Sequence, residues 1–89
     1  MDPVVVPIDG VLDLHTFAPG ELNKLMQDYI EACLEFNIYD LRIIHGKGSG
    51  VMRSRVHAWL KNDARVHGFE DAPAATGGWG ATLVTLKRK

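Results

Sequence analysis

The sequence predicts a two-layer α/β domain with elements in the order β-α-β-α-β-β. Three observations point to it. Short apolar runs with strand-like alternation or β-branching occupy 8–15, 40–45, 66–72 and 81–87. Two longer runs, 19–35 and 51–61, carry apolar residues at three- and four-residue steps. Glycine, proline and asparagine separate them. Each β-α-β crossover joins parallel strands with a right-handed connection, so the first three strands should end at one sheet edge. The last strand follows the third through a short loop and should run antiparallel, starting at that edge.

Residues 1–7 read as an extended lead-in to a domain over 8–89; Pro3 and Pro7 keep Val4-Val5-Val6 out of a sheet centre. In the first strand, Ile8 to His15, Leu12 and Leu14 point to one face while Val11, Asp13 and His15 share the other. Pro19 suits the first turn of a helix and Glu21 suits its dipole. Leu22, Leu25, Met26, Tyr29, Ile30, Cys33 and Leu34 form the helix's apolar stripe, and Asn37 is placed to end it in a left-handed cap. Lying on that stripe, Cys33 reads as core filler.

Asp40 to His45 is the second strand and Gly46-Lys47-Gly48-Ser49-Gly50 a turn, with Ser49 placed to cap the second helix. Met52, Val56, Trp59 and Leu60 form that helix's buried stripe; Arg53, Arg55 and Lys61 face water or a ligand, and Asn62-Asp63 closes it. Val66 to Ala72 is a third strand weakened by Gly68, Pro73 to Gly80 a loop, and Ala81 to Lys87 the last strand. In the last strand Thr82, Val84 and Leu86 alternate against Leu83 and Thr85.

Eighty-nine residues make one small domain, and 46% hydrophobic with 24% charged residues is a globular composition. One cysteine excludes an internal disulfide. With no apolar run long enough to cross a bilayer and no charged-then-apolar leader, a cytoplasmic protein without membrane partners is expected. The net charge of −1 hides an asymmetry: residues 1–41 carry eight acids and one base, residues 42–89 nine bases and three acids. The basic half suggests a side that faces a polyanion; the plainer reading is that exposed faces differ in sign.

The topology brings three segments to one rim. Asp13-Leu14-His15 ends the first strand, His45-Gly46-Lys47-Gly48 ends the second, and Gly77-Gly78-Trp79-Gly80 starts the antiparallel last one. Open α/β sheets bind ligands at such a rim. Two histidines, a carboxylate, a lysine and the backbone N–H groups of a glycine-rich turn would form an acid–base set beside an anion cradle. The turn lacks P-loop spacing, and Val51 stands where a dinucleotide fingerprint needs its third glycine. One cysteine without a close His/Cys pair argues against structural zinc. His57 and His67 read as incidental.

Leu12-Asp13-Leu14-His15, Ile43-Ile44-His45-Gly46-Lys47-Gly48-Ser49-Gly50 and Gly77-Gly78-Trp79-Gly80-Ala81-Thr82-Leu83-Val84 together resemble the three signature blocks of the small MutS-related (Smr) domain, in order and over essentially 8–88. The resemblance implies a stand-alone bacterial-type member. Its fold would be a four-stranded mixed sheet with two helices on one face, similar to the C-terminal domain of bacterial translation initiation factor three. It also implies endonuclease activity on DNA or RNA, with the ribosome or a repair or recombination protein as further partners. The family's Asp-x-His falls on Asp13 and His15, its His-Gly-x-Gly on His45, Gly46 and Gly48, and its last Gly-x-Gly on Gly78 and Gly80. Thr16 departs from the glycine common after the histidine.

Phosphodiester cleavage is the expected activity. Gly46, Lys47, Gly48 and Gly50 would bind the scissile phosphate. Of His15 and His45, one would take the nucleophile's proton and the other protonate the leaving oxygen, tuned by Asp13. Trp79 either stacks on a base or packs in its loop. Arg53, Arg55, Lys61 and Lys87 would hold the flanking strand. RNA needs no metal, because its 2′-OH can attack; DNA requires water and favours Mg2+ or Mn2+ through Asp13. The alternative is a non-catalytic RNA-, DNA- or ribosome-binding module using the same basic, glycine-rich rim.

Overall fold

A computed structural model describes residues 8–48, 50–76 and 78–88. The expected lead-in at 1–7, the Ser49 cap and Gly77 lie outside the described residues. Strands β1 (Val11–Asp13), β2 (Asp40–Ile44), β3 (Val66–Asp71) and β4 (Ala81–Leu86) alternate with helices α1 (Leu22–Glu35) and α2 (Val51–Lys61) in the predicted order. The sheet runs β1-β2-β4-β3, with β1 parallel to β2 and β4 antiparallel to both its neighbours. β1, β2 and β3 therefore end at one edge, where β4 begins.

Both helices cover one face of this mixed sheet. Leu12, Leu14, Leu41, Ile43, Val84 and Leu86 are buried against Met26, Tyr29, Ile30 and Cys33 of α1 and Val56 and Leu60 of α2. Strand alternation supplies the sheet side of this core and helical spacing supplies the rest. Burial pushes the Cys33 thiol up to about 11, in keeping with a side chain that fills space.

Local hydrogen bonds set where the elements start and stop. β1 is shorter than the run from Ile8 suggests because Asp9 Oδ1 accepts the Val11 N–H at 2.9 Å, folding the preceding chain into a turn. α1 is entered through a 3₁₀ turn at Pro19–Glu21, where Glu21 reaches back to the Ala18 N–H at 2.9 Å. Asn37, at φ +58°, ends the helix while Ile38 N–H donates to the Cys33 carbonyl at 2.8 Å. In β3 the register shifts between Val66 and Gly68, so the expected weak point is a bulge at His67. The 73–80 connection contains 3₁₀ turns at Ala74–Thr76 and Gly78–Gly80. Trp59 is only half-buried, its other side lining a groove between α1 and α2.

Among the described residues no helix is long and apolar enough to cross a membrane.

Candidate active site

The register places the three segments. Asp13 lies beside Ile44, and Ile44 beside Ala81, one step from the rim on the face away from the helices. Beyond this row the chain leaves β1 through Leu14-His15 and β2 through His45-Gly46. Gly80 ties the second and third segments together, its carbonyl accepting the N–H groups of His45 (3.1 Å) and Gly46 (2.9 Å). A Cβ on Gly80 would lie 3.0 Å from Lys47 Cγ, so any larger residue would push the Lys47 side chain aside. Across the turn Gly50, at φ +81°, takes a left-handed conformation and starts α2.

Asp13 and His15 form a pair. Asp13 Oδ1 accepts the His15 backbone N–H at 3.0 Å and its Nδ1–H at 2.5 Å. The backbone N–H first, then the imidazole, hold the Asp13 carboxyl below the ordinary carboxylate range, against the opposing effect of partial burial. With Nδ1 committed as donor, Nε2 is the ring atom left to take a proton. The His15 side chain is 63% exposed.

A cavity of about 220 Å3 adjoins this pair. Its wall includes His15, His45, Lys47 and Arg53, the turn glycines Gly46, Gly48 and Gly50, and an apolar side of Leu14, Phe17 and Met52. Asp13 does not line it and touches it through His15. Gly78, Trp79 and Gly80 are not part of the wall either; Gly80 abuts it through Lys47, and Trp79 is 45% exposed beside it.

Three expectations are corrected by the geometry. His45, 6% exposed, has both ring nitrogens engaged: Nδ1–H donates to the Gly46 carbonyl at 3.1 Å, and Nε2 lies 2.8 Å from Thr82 Oγ1. It braces the turn and has no ring atom to spare for substrate. Second, the Gly46 N–H is spent on Gly80 and cannot also hold a phosphate. Third, Arg53 lines the cavity but its guanidinium forks onto Asp71, at 2.8 Å to each carboxylate oxygen.

His57 and Thr82 escaped the sequence reading. Thr82, fully buried, also lies 2.9 Å from His57 Nε2. Since Nδ1 of His45 is a donor, its Nε2 must accept. Thr82 O–H therefore donates to His45 and accepts from His57 Nε2–H, a directed chain from α2 through β4 to the turn. The His57 ring also stands 3.9 Å from Asp71 Oδ1, adjoining the Arg53 pair. Burial first holds both imidazoles below their usual value, and for His57 the Arg53 charge comes second. The signal for Thr82 was a hydroxyl on the inward face of a strand, alternating with Val84 and Leu86, where it needs a partner. His67, in β3, is exposed.

Among the described residues no three His, Cys, Asp or Glu side chains form a group able to hold a metal. A hard divalent ion takes about six oxygen ligands, and Asp13 offers one carboxylate with an oxygen already engaged. By themselves these described residues do not build a metal cage.

The Smr domain family model matches residues 12–87. The endonuclease MutS2 of Latilactobacillus sakei is 41% identical over 80 residues, covering 90% of this chain and 10% of that protein. The endonuclease MutS2 of Pediococcus pentosaceus is 48% identical over 59 residues, 66% of this chain and 8% of its own length. This chain thus spans about a tenth or less of these relatives. Among solved structures, the Smr domain of Thermus thermophilus MutS2 superposes with a TM-score of 0.85 at 32% identity, over 90% of this chain and all of that one. YdaL, a stand-alone small MutS-related protein from Escherichia coli, gives 0.83 at 29% identity, over 89% of this chain and 65% of that one. Because the matched span takes in β1 through β4 and both helices, the chain belongs to the Smr domain family.

Proposed function

We propose that this Smr domain is a nucleic-acid endonuclease that cleaves a phosphodiester at the cavity between His15 and the Gly46–Gly50 turn. The observation that carries this reading is the Asp13–His15 pair opening onto the same cavity as Lys47. A carboxylate that fixes Nδ1–H leaves His15 Nε2 as the general base. Lys47, exposed on the wall, is the cation nearest a bound phosphate and offsets charge gathering on its oxygens. On RNA, His15 takes the 2′-OH proton as that oxygen attacks phosphorus. The 5′-oxygen leaves with a proton from Lys47 or water, giving a 2′,3′-cyclic phosphate and a 5′-OH. The relatives named endonuclease MutS2 support the reaction class.

The occupied state of His45 favours a second reading, a binding module for nucleic acid. With that imidazole committed, the cavity wall presents one imidazole with an unengaged ring nitrogen where a two-histidine mechanism needs two.

One experiment separates them. Purified protein is incubated with labelled RNA and DNA, with and without chelator, alongside Asp13→Asn and His15→Ala. The enzyme reading expects chelator-resistant RNA cleavage that both variants lose while affinity holds. Unchanged cleavage in the variants removes the pair from catalysis. Tight binding with no cleavage of either polymer makes the protein a binding module.

A further inference from the structure

The cavity does not end at the turn. Pro19, which lines it, also lines a second, larger groove of about 560 Å3 between α1 and α2. Val51, Met52 and Arg53 of α2's first turn belong to the cavity, and Arg55, Ala58 and Trp59 further along α2, with Asn62 just past its end, belong to the groove. The helix thus forms one wall of a track about 16 Å long, at 1.5 Å per residue over its eleven residues.

The groove's chemistry is polar and aromatic. On the α1 side Asn23 and Gln27, one helical turn apart, present amides that both donate and accept. Opposite them Trp59 packs one side on the core and gives the other to the groove. Arg55 is exposed on the same wall. Asp63, the groove's one acid, is sealed by Arg65, whose N–H, Nε and Nη2 reach it at 2.8, 3.0 and 2.8 Å. Arg65 also donates to Gln27 Oε1 at 2.7 Å, so a guanidinium closes the far end. An aromatic platform, amides and the exposed Arg55, with the one acid neutralised by Arg65, is the chemistry that holds single-stranded nucleic acid: a cation tracks the backbone and the ring stacks on a base.

We infer that the α1–α2 groove is a subsite for the single-stranded nucleotides on one side of the scissile phosphate, with Arg55 on their backbone and Trp59 beneath a base. This rests on the nucleic-acid reading above and adds to it the route of the strand. The subsite sets which polynucleotides bind, and the cavity sets the chemistry. A single strand is expected to follow this route, and a duplex is expected to leave Trp59 unquenched.

The test uses the whole protein with Trp79→Phe, so that Trp59 alone reports. Single-stranded oligonucleotides of increasing length, a dinucleotide and a short duplex are titrated while tryptophan fluorescence and affinity are followed. Longer single strands are expected to quench Trp59 and the dinucleotide is not. Arg55→Glu should weaken binding of the longer strand at least tenfold and leave the dinucleotide unaffected. Arg55→Ala should lower the log–log salt slope by about one. Arg88→Glu is the matched control for net charge: Arg88 lies past the far end of β4 with its guanidinium 4.3 Å over the Tyr39 ring. Binding that still needs Lys47 but is indifferent to Arg55, with Trp59 unquenched, overturns the groove and leaves the cavity reading intact. Equal losses in Arg55→Glu and Arg88→Glu also overturn the groove. No binding of either polymer by the wild type overturns both.

Discussion

His15 and His45 follow the ends of neighbouring parallel strands, one residue apart in register, yet they sit in opposite surroundings. The pleat sends His15 with Asp13 to the open face and His45 with Leu14 to the helix-covered face. His15 meets one carboxylate and water. His45 meets a carbonyl, a buried hydroxyl and, edge-on at 6.2 Å, the ring of His57. A histidine beside a glycine-rich turn is therefore not informative alone. What its second nitrogen touches decides whether the ring is open to move a proton or is tied to the backbone of the turn.

The sharpest way to break this contrast is to remove each imidazole. His15→Ala is expected to lower single-turnover RNA cleavage by about 10²–10⁴-fold, the usual worth of general-base catalysis, with thermal stability unchanged. A variant that cleaves as the wild type does would erase the assigned difference between the histidines. Next in size is Thr82→Val, which keeps the volume and deletes the hydroxyl between the two rings. It strands a buried acceptor on His45 and a donor on His57, at about 1–3 kcal/mol for each such group. Denaturant unfolding should show the loss and Thr82→Ser should recover it. If Thr82→Val unfolds like the wild type, the directed chain does not exist.

The same contrast explains what could be read from sequence. Alternation at Leu12/Leu14, Leu41/Ile43 and Val84/Leu86 and the stripe from Leu22 to Cys33 are local patterns, and they named the strands, the helices and the core. The rim followed because crossover handedness is a general rule. Pairing order is different: nothing local says that β4 lies between β2 and β3, or that the Gly80 carbonyl takes the His45 and Gly46 N–H groups. Thr82 meets His57 across 25 positions, and Arg53 meets Asp71 across 18. Such long-range polar contacts turned His57 from bystander to brace and withdrew His45 from the acid–base set.

A smaller effect comes from titration. Both His45 and His57 hold protons less readily in the fold than at their ordinary value of 6.5. Just below that pH the unfolded chain binds more protons, so stability rises with pH there and is fully present above it. Melting temperature should be level above pH 7 and decline as pH falls from 6.5. A second decline should start below 3.8, where the aspartates of the unfolded chain take up protons that Asp13 and Asp63, both lowered in the fold, still resist. His57→Gln, which keeps an N–H donor for Thr82, should make the first decline shallower, leaving the His45 share of it, and leave the second unchanged. A melting temperature level from pH 7 to 5 in the wild type would mean that neither buried ring is held neutral.

The smallest effect tests the link between the two regions. Arg53 lines the cavity while its guanidinium is held by Asp71, which stands 3.9 Å from the His57 ring. Half-exposed pairs of this kind are worth at most about 1 kcal/mol, so Asp71→Asn should barely move the unfolding midpoint. It should instead release Arg53 toward a phosphate in the cavity. Nucleic-acid affinity should then rise and its log–log salt slope steepen by up to about one, as for one added phosphate contact. If affinity falls instead, Asp71 is orienting Arg53 for the substrate, and the bracing network reaches the cavity by both of its walls.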